Sequence, residues 1–239
     1  SAFRRQRQMC IRDRNRSKTK RIDDLSDWII INNNTSSSVF KGYDLHEVDA
    51  KICKYREAKS DDGSLKYHIV TDVTTFYPEG GGQIGDTGKL VSSADEIEVI
   101  DTFRDGGDII HLTKKLPSNL ESQVKLKITT ERRSLIESNH TSTHLLHQAL
   151  RQILGRHVEQ RGSMISDQMF RFDFSHPSKL SNSDLESINR FVNEKIKESI
   201  PLIENRDEDY HKAIKNGAIG LFTEKYADKV RTVKFNESY

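Results

Sequence analysis

The chain has 239 residues, of which 34% are hydrophobic and 31% charged, and its formal net charge is +2. This length can bury a core and suits one large domain or two smaller ones. The sequence has no apolar run near the roughly 18 residues that a membrane-spanning helix needs. Its two cysteines, Cys10 and Cys53, indicate neither a disulfide framework nor a cysteine knuckle for a metal. We therefore predict a cytoplasmic protein with no membrane partner.

The N-terminal segment is strongly basic. Residues 1–21 contain nine Lys or Arg residues and a single acid, Asp13, which gives +8 and leaves −6 on the remainder. The segment lacks apolar periodicity, so we predict a basic disordered tail, and we interpret residues 1–14 as a cloning or sequence-assembly artefact. Such a tail can bind phosphates without sequence preference. RNA recognition elsewhere in the chain would have to be local and based on shape.

Residues 22–130 carry short β-branched runs with a period of two, which predicts strands. The predicted strands are Trp28–Ile31, Lys66–Val70, Ile97–Ile100, Ile109–Leu112 and Val124–Ile128. Turn signals separate them, at Asn32-Asn33-Asn34, Asp61-Asp62-Gly63 and Asp105-Gly106-Gly107. Their even spacing favours a small antiparallel β-barrel.

A glycine-rich segment, Phe76–Gly88, lies within this region and has five glycines in nine residues. Glycines allow positive φ angles and let backbone amides approach a ligand closely. The segment lacks the Lys-Ser/Thr pair and the helix start of a nucleotide-phosphate loop. It is consistent with a ligand-binding loop or with a flexible hairpin.

Residues 131–239 mix helical and strand periodicity, which predicts an α+β fold. A helix follows the N-cap Thr130 and ends at Leu154-Gly155. A second helix opens at Ser183-Asp184 and stops before Pro201. Its predicted inward residues are Leu185, Ile188, Val192 and Ile196. Further predicted elements are a strand at Met169–Phe174, a short helix at Tyr210–Ala218 and a strand at Val230–Phe235.

Two histidines four residues apart, His140 and His144, lie on the first of these helices. This spacing places both imidazoles on one face, one turn apart, so both can reach one metal ion as half of a zinc site. His147 shares their face, whereas an apolar stripe from Leu146 to Leu154 lies about 120° round the helix. Histidines at this spacing can equally be ordinary surface or packed residues.

A third polar stretch includes Gln160, Ser175 and His176. The amide of Gln160 offers both donors and an acceptor to a hydroxyl or carbonyl group. Each of these residues, taken alone, is also consistent with a structural role. For the alternating Phe170, Phe172 and Phe174, the buried face of a strand is favoured over a base-stacking platform.

Taken together and in order, these stretches resemble the editing region of the bacterial alanyl-tRNA synthetase family. The resemblance covers about residues 15–239. It is carried by Tyr77–Gly88, Asn139–Arg151, His157–Ser163 and Arg171–His176, with support from Gly42–Asp44, Asn216–Tyr226 and Val230-Arg231. It implies a β-barrel at 22–130, followed at 131–239 by an α+β editing domain of the threonyl/alanyl-tRNA synthetase type.

The resemblance also implies hydrolysis of tRNA for alanine that is mischarged with serine or glycine, at a zinc site. His140 and His144 match the family's first pair of zinc ligands, and Thr143 and Gln160 match residues of the amino-acid pocket. The substrate-binding loop would comprise Gly80, Gly81, Gly82, Gln83 and Gly85. The family's second ligand pair, Cys-x-x-x-His, is absent from this sequence. We therefore expect an editing domain truncated before that pair, and a fragment inactive alone.

By the same resemblance, ATP and Mg²⁺ serve only an upstream aminoacylation domain that this chain lacks. Homo-oligomerisation would use a C-terminal region that is likewise absent. Two other interpretations stay open, namely a free-standing alanyl-tRNA editing hydrolase and a non-catalytic RNA-binding or metal-storing α+β module.

Overall fold

The computed structural model describes residues 26–32, 38–60, 62–218 and 228–235. The predicted tail at 1–21, the turn residues Asn33, Asn34 and Asp61, and residues 219–226 of one supporting motif lie outside these ranges. The described residues form a mixed α+β structure with mostly antiparallel strands, which confirms the predicted fold class at that level.

The strands are β1 (Ile29–Ile30), β2 (Val39–Phe40), β3 (Glu47–Ala50), β4 (Ile52–Lys59), β5 (Leu65–Thr71), β6 (Val73–Thr74), β7 (Gly88–Val91), β8 (Glu96–Asp105), β9 (Asp108–Thr113), β10 (Val124–Ile128), β11 (Gln160–Ile165), β12 (Phe170–Phe174), β13 (Leu202–Asp209) and β14 (Lys229–Phe235). The helices are α1 (Thr130–Leu154), α2 (Asn182–Lys197) and α3 (Tyr210–Lys215). Among the described residues, no helix combines the length and apolarity needed to cross a membrane.

The chain divides into two compact units. The first comprises residues 1–136 and 166–168, and the second comprises residues 137–165 and 169–239. The division at 136/137 falls inside α1, so the first turns of this helix belong to the first unit and the rest to the second.

An eight-stranded antiparallel sheet forms the framework of the first unit, in the order β1-β4-β5-β9-β8-β7-β10-β3. A closed barrel would require hydrogen bonds between the two edge strands, β1 and β3, and no such pairing occurs among the described residues. The predicted barrel is therefore wrong, although the antiparallel strands are confirmed. The physical reason is the short edge strand β1, because its two residues, Ile29 and Ile30, pair only with β4 and offer too few backbone groups to join the sheet to β3.

Buried side chains of this sheet form the hydrophobic core of the first unit. In β10, Val124, Leu126 and Ile128 are buried and alternate with exposed lysines, as the period of two predicts. These residues pack with other buried side chains from the sheet and from the glycine-rich segment, including Phe76.

A buried ion pair attaches the first turns of α1 to this unit. The Nε of Arg133 donates to both carboxylate oxygens of Asp86 at 3.0 Å. Its terminal nitrogens donate to the backbone carbonyls of Gly42 at 2.8 Å and Thr75 at 3.0 Å. Asp86 also accepts from the backbone N–H of Tyr77 at 2.7 Å, so every charged group in this buried network has hydrogen-bond partners.

In the second unit, the predicted apolar stripe of α1 is confirmed. Ala149 and Leu150 are buried and pack with Val158 and with Ile188 of α2. Leu146, Ile153 and Leu154 are partly buried against the same cluster. The later half of α1 therefore has one packed face, which fixes the orientation of the polar face that carries the histidines.

Helix α2 begins with a capping box, in which Ser181 and Asp184 satisfy each other's backbone N–H groups. Ile188 is buried and Val192 packs against the cluster, as predicted. The prediction that Leu185 and Ile196 face inward is wrong, because they are 51% and 52% exposed. Only the middle of α2 reaches the cluster, so the ends of its apolar stripe stay in solvent within this unit. The unit also contains the hairpin β11-β12 and the antiparallel pair β13-β14, with α3 between the two strands of that pair in the chain.

Candidate metal and substrate site

The two predicted metal-ligating histidines lie side by side on α1, within the second unit. The imidazole rings of His140 and His144 stack with 5.2 Å between centroids and 12° between planes. This arrangement is the direct result of the four-residue spacing on a helix. His140 is half-buried and His144 is exposed, so the pair has an accessible side.

Both imidazoles favour the neutral form. Burial lowers the pKa of His140 to about 4, with further repulsion from His144 and Arg231. Partial removal of water by the surrounding protein also lowers the pKa of His144, even though one side of that ring meets solvent. A neutral imidazole is the form that binds a metal ion, so these environments suit ligation near neutral pH.

Arg231, which the sequence analysis named only as part of a supporting family motif, is a neighbour of this site. It lies on β14 and forms an ion pair with Glu204 of β13, yet it is close enough to His140 to influence that residue's pKa. Arg231 is separated from His140 by 91 positions. No periodicity or spacing signal connects positions so far apart, because only the tertiary packing brings them together.

Thr143 lies between the two histidines in sequence and is 5% exposed. Its hydroxyl donates to the backbone carbonyl of His140 at 2.7 Å. With its proton used inside the helix, the Thr143 oxygen can act toward a ligand only as an acceptor.

His147 does not lie on the accessible face that its spacing suggested. It is 5% exposed, and its ring contacts Phe172 at 5.4 Å between centroids. Its Nε2 atom is buried without a hydrogen-bond partner in the structure. Phe172 of β12 covers this part of the helix, which a helical projection alone cannot show.

Gln160 begins β11 and is half-buried. It pairs with Phe174 of β12, and the register shifts between Gln160 and Gly162. Such an irregularity twists a strand locally and redirects its side chains. Gln160 lies in the same unit as His140 and His144. Within that unit, it is at the irregular end of the β11-β12 hairpin.

The glycine-rich segment belongs to the first unit. Gly80 and Gln83 form an isolated bridge around Gly81 and Gly82, whose φ angles of 62° and 85° favour glycine. Gln83 is buried, at 5% exposure. A Cβ at Gly85 would collide with the backbone carbonyl of Thr102. The positive φ angles of Gly81 and Gly82 and the close packing at Gly85 are thus requirements of the fold of this unit itself.

Zinc was the metal implied by the histidine spacing, and the two imidazoles fit that ion in donor type and protonation state. Among the described residues, no cluster of three or more His, Cys, Asp or Glu side chains is arranged to hold a metal ion. The described part of the chain therefore offers two ligands of the four that a tetrahedral zinc site normally has.

A family model described as "tRNA synthetases class II (A)" matches residues 2–133, more than half of the chain. The chain therefore belongs to the class II (A) tRNA synthetases.

Its similarity to curated proteins is narrower. It is 47% identical over 228 residues to an alanine–tRNA ligase of Christiangramia forsetii, covering 95% of this chain and 26% of that protein. It is 44% identical to the alanine–tRNA ligase of Cytophaga hutchinsonii over 94% of the chain and 25% of the relative. It is 45% identical to an alanine–tRNA ligase of Bacteroides fragilis over 89% of this chain and 24% of that relative. The chain thus spans about a quarter of the length of these relatives.

Proposed function

We propose that this chain is a segment of an alanine–tRNA ligase that hydrolyses tRNA for alanine when it is mischarged with serine or glycine. The observation that carries the proposal is the stacked pair His140 and His144, neutral and accessible on one side, with Thr143 between them. The similarity to alanine–tRNA ligases supplies the substrate class.

In this proposal, His140 and His144 hold a zinc ion whose bound form would polarise an ester carbonyl or water. The chain's own residues bind and orient the aminoacyl end of the tRNA. Gln160, at the irregular end of β11, would be a polar contact for the amino acid or the ribose. The residues Gly80, Gly81, Gly82, Gln83 and Gly85 are proposed, on the family resemblance, as the substrate-contacting loop.

Thr143 provides a physical basis for rejecting serine. Because its own proton is donated to the carbonyl of His140, its oxygen can accept the hydroxyl proton of a seryl group. An alanyl group has no hydroxyl and leaves that acceptor unpaired. A site that hydrogen-bonds a substrate hydroxyl discriminates strongly against the analogue that lacks it.

For the longer protein, we propose the activity that its relatives' names state, the joining of alanine to tRNA. ATP and Mg²⁺ would serve that reaction in a part of the protein outside this chain, and homo-oligomerisation would also involve such a part. The chain itself would contribute editing, with tRNA as its partner.

The test is a pair of substitutions, Thr143→Val and Ser142→Ala, made at the aligned positions of a full-length relative. Ser142 is a matched control because its hydroxyl also donates within the helix, to the carbonyl of Ser138 at 2.8 Å. Loss of one hydrogen bond to the substrate should slow hydrolysis of seryl-tRNA by roughly tenfold or more for Thr143→Val. Ser142→Ala should leave that rate within about twofold, and neither change should alter alanine attachment.

Equal loss of editing in the two variants, or parallel loss of alanine attachment, would contradict a substrate contact at Thr143. Binding of tRNA without any hydrolysis by the unmodified relative would favour the RNA-binding interpretation instead.

A further inference from the structure

An open polar cleft lies along the last turns of α1, in the second unit. It is lined by Gln148, Arg151, Gln152, Gly155 and Arg156. The first four follow the spacing i, i+3, i+4 and i+7 and therefore share one helix face. Gly155 ends the helix with a φ of 118°, and the resulting change of chain direction places Arg156 beside the same cleft.

The cleft is rich in hydrogen-bond donors and contains no carboxylate among its lining residues. A guanidinium carries five N–H donors and an amide side chain carries two. Arg151 and Arg156 form no ion pair within the described part of the chain, and Arg151 makes only a long hydrogen bond, 3.4 Å, to the carbonyl of Val158. Other arginines of the same unit do pair with carboxylates, namely Arg161, Arg171, Arg206 and Arg231.

The helix end does not neutralise this charge. The C-terminus of a helix carries roughly half a unit of negative charge. This partial charge favours a cation such as Arg151 near the helix end, but it leaves most of the summed +2 charge of Arg151 and Arg156 uncompensated. Guanidiniums that have no carboxylate partner and lie next to amides are suited to contact phosphate oxygens and ribose hydroxyls. The cleft is therefore suited to a polyanion that also offers neutral hydrogen-bonding groups.

The cleft continues the face that carries the histidine pair. His140, His144, Gln148, Arg151 and Gly155 all fall within about 80° around α1, since each residue advances 100°. The separation along the axis from His144 to Arg151 is about 10 Å. A polynucleotide whose end lies at the histidines can thus extend directly into the cleft.

We propose that this cleft binds the phosphodiester backbone of the tRNA, a few nucleotides from the aminoacylated end. The proposal rests on the proposed function, because it takes tRNA as the substrate. Arg151 and Arg156 contact phosphates, and Gln148 and Gln152 contact sugar hydroxyls or phosphates. The cleft thereby positions the end of the tRNA at the histidine pair without taking part in hydrolysis.

The experiment measures binding of fluorescently labelled, uncharged tRNA for alanine to the whole chain by anisotropy over a range of salt concentrations. The variant is R151Q/R156Q. The matched control, R190Q/K197Q, removes the same charge from exposed residues of α2 that form no ion pair within the described residues. The basic segment at 1–21 is present in all three proteins, so its contribution is common to them.

We expect R151Q/R156Q to raise the Kd by roughly tenfold or more at low salt and to reduce the slope of log K against log salt by about 1.4 to 1.8. The control should change the Kd by less than about threefold. Hydrogen exchange should show protection of residues 148–156 when tRNA binds to the unmodified chain. Circular dichroism should show unchanged folding in both variants.

If the variant and the control weaken tRNA binding equally, the proposal is overturned, because the affinity would then depend on net charge alone. An unchanged Kd together with no protection of residues 148–156 would overturn it as well. The tRNA in this experiment carries no amino acid, so the measurement reports binding alone. A failure of the editing proposal would instead appear as absent hydrolysis of seryl-tRNA with tRNA binding intact.

Discussion

At the scale of single residues, buried histidines contribute to the way in which the stability of the molecule depends on pH. His111 is fully buried in the first unit. Its ring nitrogens lie 2.7 Å from the hydroxyl of Thr74 and 3.1 Å from the carbonyl of Ile69. Burial lowers the pKa of His111 to about 4, despite the contact with the Ile69 carbonyl. The folded protein therefore keeps this ring neutral at pH values where the unfolded chain protonates it.

This difference predicts a loss of stability in mild acid. Between the unfolded pKa of about 6.5 and the folded pKa of about 4, the unfolded state binds more protons, so the free energy of unfolding decreases as the pH falls. His111 alone can lower the free energy of unfolding by up to about 3 kcal/mol between these two pH values. Urea titrations at several pH values should show a shallower dependence for His111→Gln than for the unmodified chain. His211→Gln, at an exposed position, is the control and should keep the original dependence.

Spacing along the sequence predicts some of the contacts of single residues and not others. The proximity of His140 and His144 follows from four positions on a helix and was predictable from the sequence. The burial of His147 under Phe172 was not, since it depends on a strand that begins 23 positions later. Gly85 is a related case, because the carbonyl of Thr102 occupies the space that a side chain there would need.

At the scale of elements, helix α1 was the easiest to predict and β4 among the hardest. Strong periodicity and a terminal glycine define α1, whose end at Leu154 matches the prediction. Strand β4 was missed because its charged residues obscure the alternation. One of them, Arg56, is 9% exposed and pairs with Asp105, 49 positions away. A buried charge is tolerated there only because of a partner that the local sequence does not show.

A buried ion pair contributes to the attachment of the first turns of α1 to the first unit. Removing Arg133 would leave the carboxylate of Asp86 buried without its partner, which typically costs about 3 to 5 kcal/mol. We therefore expect Arg133→Met to lower the free energy of unfolding by that amount in urea titrations. The double variant D86N/R133M removes the charge and should recover part of the loss.

Arg132 supplies a comparison, because its ion pair with Asp167 is more exposed and its other contact is one hydrogen bond to the carbonyl of Gly85 at 2.9 Å. Arg132→Met should cost about 1 to 2 kcal/mol, less than Arg133→Met. Similar losses at the two arginines would show that the buried pair has no special role in attaching the helix.

At the scale of the whole molecule, each unit has its own hydrophobic core. The core of the first unit is built around Ile52, Phe76 and Leu126, and that of the second around Leu150 and Ile188. Neither core includes His140 or His144. Folding therefore does not require a metal ion at the histidine pair, in contrast to small zinc domains in which binding and folding are one process.

Because the hydrophobic cores do not include the histidine pair, we predict that the chain folds without metal and binds zinc weakly. Two imidazoles leave about half of a tetrahedral shell to water, and the sequence supplies no Cys-x-x-x-His pair. Removing metal with EDTA should leave the thermal unfolding midpoint unchanged within about 2 °C, because the cores remain intact. Competition with a chromophoric chelator should give a zinc dissociation constant weaker than about 1 μM. His140→Ala should weaken binding further, and His211→Ala should not. Submicromolar affinity that is lost in His140→Ala would instead show that a nearby group such as His147 completes the site.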